Sequence, residues 1–488
     1  MFSKGVTDVV NSHMTKSLLC FDDVLDAEKL REALDNLLQK DGWRKLGARL
    51  RRTKDDKLEY HVPAEFSEKR PAFLYTTDKH VMSVADHPVL AKLPRGNGAR
   101  PAIFEPSSQI FRPHMRASNA TQYLQDWLYS DIPQLAIHVV NFNDATILTV
   151  TLLHTLTDAM GLAALLRAWT AVLRDEEDQI PPFIEFDAHD DPIETLHQGT
   201  PPSQYVLANR LVKGWGLFMF VVRNIFQLLW WPKAEVRNIF VLGEYINKLC
   251  QSARTGLAES QNGDGNKDGD HVKPFLSESD VLCSWWTRIV VRALNPSPQR
   301  TVCLINLFDS RGVLAELGRV PSADVALMTN AAYPATSLIP AGEVSSTTTP
   351  LSSLANQVRN AINTHRTEGQ FQAQAAAIRE STEKAGHPPV YGDPDMLLVA
   401  DTNCHRGKLF QTDFSPAVVA QEGVSLSKHA GNYYKGKPSF VNASSTESRF
   451  STRNPTVIVG KDLAGNWWLM SRLRIGAWKS VEQQIKML

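Results

Sequence analysis

The chain has 488 residues, 43% of them hydrophobic and 21% charged, enough for about two to four domains with a sizeable core. Lys+Arg and Asp+Glu both number 52, so the formal net charge is zero; that balance argues against nucleic acid as the main partner and makes any basic pocket a local feature. Cys20, Cys250, Cys283, Cys303 and Cys404 stand far apart without a CxxC pair, which argues against a disulfide framework or a zinc cluster and suits a reducing, cytoplasmic compartment.

The first twenty residues lack a charged start followed by an apolar core, so no signal peptide is expected, and the sequons at Asn119 and Asn442 carry no weight. Residues 20 to 50 read as a helix running into a strand. From Ala27 to Leu38 the spacing puts Leu30, Ala33, Leu34, Leu37 and Leu38 on one face; Gly42 ends the helix and an extended segment begins at Leu46. The stretch 134–151 reads as a β-hairpin around the polar turn Asn143-Asp144-Ala145. Its second strand is rich in Ile, Val, Leu and Thr, as a central strand buried on both faces would be, and it runs straight into His154. From Ala159 to Arg174, a stripe of Leu162, Leu165, Leu166, Trp169 and Leu173 predicts a helix. His154 therefore falls where a buried strand gives way to a helix.

Residues 175–205, rich in Asp, Glu and Pro, read as a surface linker. Trp215 to Pro232 approaches the length of a membrane span, but Arg223, Asn224 and Gln227 interrupt its middle, and a charge at the bilayer centre is costly. A buried helix in a crossover between domains is the favoured reading, and contact with a membrane surface the lesser one. Residues 257–272 are of low complexity and read as a flexible loop. A second globular half follows. It holds a helix over SESDVLCSWWTRIVVRAL with Ser277 as cap and Asp280 at capping-box spacing, strands in TVCLINLF, MLLVADTN and NWWLMSRLRI, and a short final helix from Lys479 to Met487. The expected organisation is a first domain at 1–200, a crossover segment at 201–256, the loop at 257–272 and a second domain at 273–488.

Two motif matches fail on chemistry. Gly431 to Lys437 follows the first seven positions of a P-loop, but Pro438 stands where Mg²⁺ needs Ser or Thr. Asp264 to Gly269 opens like an EF-hand loop, but Phe275 stands where a bidentate Glu belongs. No GxSxG elbow and no HExxH occurs. His154-Thr155-Leu156-Thr157-Asp158 is the informative segment. A lone His with an Asp four residues on is more often structural. Its place at the end of a buried strand, just before the turn at Ala159-Met160-Gly161, favours function. A metal would need a third ligand, and none is near in sequence. A general base needs only one neutral imidazole nitrogen facing a cleft, with the rest of the ring held by neighbours.

These residues resemble the BAHD acyltransferase family, with its HxxxDG and DFGWG motifs, in the fungal branch that includes the trichothecene O-acetyltransferases. HTLTD at 154–158 matches the first motif, Gly161 matches a further glycine common in it, and TDFSPA at 412–417 stands where the second belongs. Phe308-Asp309-Ser310-Arg311, Thr329-Asn330-Ala331 and Thr402-Asn403-Cys404 resemble further family segments, in the family's order. The chain departs at Ala159, where the family has Gly, at Ser415-Pro416-Ala417 for Gly-Trp-Gly, and at Cys404, for a Trp that helps the oxyanion in some members.

The resemblance implies an α/β fold of two similar chloramphenicol acetyltransferase-like domains. Each would be a mixed β-sheet with flanking helices, the two joined by a crossover segment with an active-site channel between them. It implies an acyl-CoA-dependent O-acyltransferase that moves an acetyl group to a hydroxyl of a secondary metabolite, with His154 as general base and no acyl-enzyme. Asp158 would pair with Arg311, Asp413 would be a structural support, and Thr402 and Asn403 would line the acceptor side. Acyl-CoA would be a co-substrate, with no permanently bound cofactor and no metal. The partner would be a small-molecule alcohol, or an amine, and the protein a monomer. Two other readings stay open. One is condensation-type transfer from a carrier protein, against which Leu153 stands in place of a second histidine. The other is a non-catalytic binding protein of the same fold.

Overall fold

The computed structural model describes residues 2–3, 14–54, 58–96, 98, 100–105, 107–116, 124–186, 190–262, 275–419, 433–445 and 454–487. Most of the low-complexity segment, the EF-hand-like match and the first two residues of the P-loop-like match lie outside them.

In chain order the strands are β1 Phe2–Ser3, β2 Met14–Phe21, β3 Arg49–Arg52, β4 Leu58–His61, β5 Leu74–Lys79, β6 Ala102–Phe104, β7 Leu135–Asn141, β8 Thr146–Leu153, β9 Ala234–Val241, β10 Thr301–Asp309, β11 Ala332–Pro340, β12 Leu397–Asn403, β13 Phe440–Ser445, β14 Pro455–Lys461 and β15 Trp467–Arg474. Two mixed sheets dominate. One has five strands in the order β13-β2-β8-β7-β5, the other seven in the order β11-β10-β12-β14-β15-β9-β6; β1, β4 and β3 form a small third sheet. In the first, only β5 and β7 run parallel; in the second, β10, β12 and β14 do. The α/β architecture of mixed sheets with flanking helices is thus the one expected. Two strands cross between the halves of the chain: β6 joins the second sheet through β9, and β13 joins the first through β2.

Helix α1 (Ala27–Gln39) begins where the Asp26 carboxylate accepts from the amides of Glu28 and Lys29. It buries the five residues that the period picks out, and α2 (Ala159–Leu173) packs on it, with the Trp169 indole donating to the Leu30 carbonyl at 3.0 Å. The strand after α1 starts at Arg49, not Leu46, because Trp43–Gly47 winds into a 3-10 turn. Strand β2 is an element that the sequence patterning does not predict.

Three further expectations are corrected. The segment 175–205 is not merely a surface linker: Phe186, Ile193 and Leu196 are buried in a core with Val313, Leu327 and Phe371. The apolar helix, α3 (Gly214–Trp230), is not buried, since none of its residues is. Residues 257–262 continue α4 (Gly243–Asn262) instead of opening a loop. In the second half, α5 (Glu278–Leu294) carries the full capping box, Ser277 and Asp280 bonding reciprocally. Its Trp286 meets Trp467 of β15 and Trp478 of α6 (Ile475–Lys486) in one apolar cluster.

A buried acid sits inside this second half. Asp401 on β12 accepts from the Cys283 thiol at 2.8 Å, and burial pushes its carboxyl up to about 6. An acid whose folded value exceeds its unfolded one, about 3.9, withdraws stability as pH climbs through that interval. Asp401→Asn keeps an oxygen for the thiol and cannot ionise. The variant should gain up to about 3 kcal/mol over wild type in urea unfolding at pH 8, the gain vanishing below about pH 4. A difference that does not change with pH would contradict this.

Candidate active site

All eight residues of β8 are buried, and the strand is paired on one side with β2 and on the other with β7. It ends because the chain turns: the Leu156 amide donates to the Leu153 carbonyl at 2.8 Å. Asp158 then caps α2, its Oδ1 accepting from the amides of Met160 and Gly161, both at 3.0 Å. His154 lies on this turn. Its Nδ1 is buried while the residue as a whole keeps part of its surface exposed.

The main chain of the turn is held from both halves of the protein. Asn330 Nδ2 donates to the His154 carbonyl at 2.8 Å. The Tyr60 hydroxyl donates to the Thr155 carbonyl, and Thr155 Oγ1 donates to Gln134 Oε1 at 3.3 Å. Gly161 is required sterically, because a Cβ there would sit 1.7 Å from Oγ1 of the buried Thr157. Gly161→Ala should therefore displace the turn and lower stability by about 1–3 kcal/mol. Adding Thr157→Ala removes the clashing oxygen and should restore part of the loss in thermal unfolding; no recovery would mean that the clash is not the cause.

Asp158 and Arg311 form a buried two-pronged pair, with Nη2 to Oδ1 at 2.9 Å and Nη1 to Oδ2 at 3.0 Å. Arg311 also donates to Asp309 Oδ1 at 2.9 Å and to the carbonyls of Leu327 and Thr329 at 2.8 and 3.2 Å. The Ala331 amide donates to Asp158 Oδ2 at 2.9 Å. Burial alone would raise the Asp158 carboxyl, but the charge and hydrogen bonds of Arg311, with the Gly161 and Ala331 amides, outweigh it and hold the group below its ordinary value. Arg311 mirrors this: burial works against its charge, and Asp158 and Asp309 more than compensate. Buried Lys45 ties down the same segment by donating to the Met328 carbonyl at 3.2 Å.

The parallel strands β10, β12 and β14 present their carboxyl ends on one edge of the second sheet, where open α/β sheets place their ligands. Asp309 ends β10, with Arg311 just beyond it, and Thr402 and Asn403 end β12, where Thr402 pairs in register with Leu307. Asn403 Oδ1 accepts from the His405 amide at 2.9 Å. Cys404 follows, buried, its thiol pushed up to about 12 by burial with the Asp158 charge adding to it. It is a neutral thiol at the pH of the cell. Asp413 lies elsewhere. Its carboxylate accepts from the Ser415 amide at 2.9 Å, and its carbonyl accepts from Arg174, at the end of α2 opposite Asp158 and so about 22 Å along the helix. Phe414 packs edge-on against Phe21 and Trp169, with ring centroids 5.4 Å away in each case.

Of the predicted residues, then, the structure joins Asp158 and Arg311 directly beneath the His154 turn, sets Thr402 and Asn403 at a neighbouring strand end, and leaves Asp413 in a local turn. Sequence reasoning missed Asn330, Tyr60 and Gln134 as holders of the turn. The Thr329-Asn330-Ala331 segment was a visible signal, but nothing in it said that its amide groups reach the His154 turn.

No family model matches the chain. It is similar to a protein named transcriptional regulator sdnM from Sordaria araneosa, 48% identical over 96% of this chain and 92% of that one. It is also similar to one named acetyltransferase sphE from Aspergillus fumigatus, 41% identical over 95% of this chain and 90% of that one. Other fungal relatives are named acetyltransferase or O-acyltransferase, and one more a transcriptional regulator. Among solved structures, TRI101 of F. sporotrichioides, complexed with coenzyme A and T-2, shares the fold with a TM-score of 0.66 at 15% identity, covering 99% of this chain and 96% of that one.

Proposed function

This chain belongs to the fungal acetyltransferase and O-acyltransferase branch of the BAHD family, and we propose that in it His154 is the general base of acyl transfer from acyl-CoA to a small-molecule alcohol. The observation that carries the reading is the placing of His154. It is a partly exposed residue, with its Nδ1 buried, on a turn that Asp158, Arg311 and Asn330 clamp from both halves of the protein. The imidazole takes the proton of the acceptor hydroxyl as that oxygen attacks the thioester carbonyl. The tetrahedral intermediate collapses, CoA leaves as thiolate, and His154 returns the proton to it. Acid–base catalysis of this kind supplies roughly 10²–10⁴ in rate, and the positioning of two substrates between the halves supplies much of the rest.

In this reading Asp158 and Arg311 are positioning residues, Thr402 and Asn403 line the acceptor side, and Asp413 shapes the fold. An acetyl group, a secondary-metabolite acceptor and a monomer complete it. A first domain at 1–200 and a second at 273–488, joined by a crossover segment, belong to this reading, with β6 and β13 exchanged across the division. A cytoplasmic location fits five cysteines that are all free. No helix among the described residues is long and apolar enough to cross a membrane.

The name transcriptional regulator, borne by sdnM, favours a second reading in which the protein binds nucleic acid. A formal charge of zero weighs against it, because phosphate neutralisation needs excess Lys and Arg. Free-thiol release from acetyl-CoA with a panel of alcohols, compared between wild type and His154→Ala, decides between the two. Release by wild type alone supports the transferase. No release with any acceptor overturns it.

A further inference from the structure

Helix α3 carries its most apolar face outward. A helix on a globular surface turns its apolar stripe to the core and its polar face to water. Here Asn224 and Gln227 lie on the half-buried side, while Trp215, Phe218, Val222, Ile225, Phe226 and Leu229 form the outward arc. Trp215 is 74% exposed, Leu229 75% and Trp230 65%. The inner side does rest on the protein: a Cβ on Gly216 would meet the Pro394 ring at 3.3 Å. The helix is thus docked with its more apolar face outward, and none of the described residues covers that face.

Two observations say what does. The first is charge. No Asp or Glu occurs between Glu194 and Glu235, whereas Lys213, Arg223 and Lys233 are exposed at the start, middle and end of the helix. The second is a cavity of about 420 Å³ at the carboxyl end of α3, lined by Gln227, Leu228 and Trp231 on the helix side. Three arginines line it, Arg300, Arg472 and Arg474, and no acidic residue does. The Arg474 guanidinium lies 4.3 Å from the centroid of the Trp231 ring and donates to the Leu294 carbonyl at 3.2 Å, which fixes it at the wall. None of the residues proposed for catalysis lines this cavity.

We infer that α3 is an in-plane anchor that seats the protein on an anionic phospholipid surface, with a lipid phosphate entering the arginine-lined cavity. Seventeen residues span about 26 Å, and a helix of that length with Arg223 in its middle lies along a bilayer rather than through it. Tryptophans at both ends sit at headgroup depth, where indole rings concentrate. The cytoplasmic leaflet carries the matching negative charge. A second copy of the chain is the poorer occupant, because its own Lys213, Arg223 and Lys233 would meet these.

Flotation of the full chain with vesicles tests this. Vesicles of phosphatidylcholine with phosphatidylserine should carry the protein up the gradient, and vesicles of phosphatidylcholine alone should carry much less. Lys233→Gln should weaken capture about fivefold, and high salt should weaken it further. Leu229→Glu, at a side chain that is three-quarters exposed, should abolish capture with an unchanged thermal midpoint. Absence of capture by the serine-containing vesicles, or equal capture by both kinds, overturns the inference. So does a dimer in sedimentation that Leu229→Glu disperses, for then a second copy covers the face.

Discussion

His154→Ala should lower kcat/KM for acyl transfer by about 10²–10⁴ while leaving the protein folded. The magnitude follows from what the imidazole does. Without it the attacking hydroxyl must lose its proton to water, and the departing thiolate has no acid beside it. The innocence of the change for the fold follows from how the turn is held. Asn330 binds the carbonyl of residue 154, which the alanine variant keeps. The cap at Asp158 and its pair with Arg311 do not involve the imidazole either. The remaining activity comes from binding two substrates side by side, which the alanine variant keeps. Thermal unfolding and steady-state kinetics on the same preparation separate the two effects. A fall in kcat/KM of less than tenfold would place the base elsewhere.

How much of this was legible depends on whether the cause was local. Helix α1 and its five buried apolar residues were readable because amphipathic period and an Asp cap are properties of a few consecutive residues. The hairpin of β7 and β8 was readable for the same reason. The pairing of Asp158 with Arg311 spans 153 residues and no local rule yields it; only family resemblance suggested it. The exchange of β6 and β13 between sheets was invisible, since a strand's residues say that it pairs but not with what. Helix α3 was misread because burial was inferred from apolarity. Composition gives the preference for leaving water, and only the structure tells whether protein or something else provides the alternative. Asn330 was missed because an amide that braces a main-chain carbonyl has no pattern of its own.

Asp158→Ala is the second large effect, and it is one of stability before catalysis. Removing the carboxylate leaves the buried Arg311 guanidinium with Asp309 alone as a counter-charge, and it strips partners from the amides of Met160, Gly161 and Ala331. Breaking a buried pair in this way costs about 3–5 kcal/mol, to which the lost cap contributes about 1. Asp158→Asn can keep the cap and loses only the charge, so it should fall between wild type and alanine. Acidity provides an independent check. The carboxyl is held below its ordinary value in the folded state, so its contribution is complete above the unfolded value of about 3.9 and fades as pH falls through the folded one. The gap between wild type and Asp158→Asn in urea unfolding should therefore be constant from neutrality to about pH 5 and close only under stronger acid. A cycle that adds Arg311→Met should show strong coupling, because a buried cation left alone is worse than no cation. Additive losses would mean that the two residues stabilise the His154 turn separately, and the clamp between the halves would then have to be sought in Asn330.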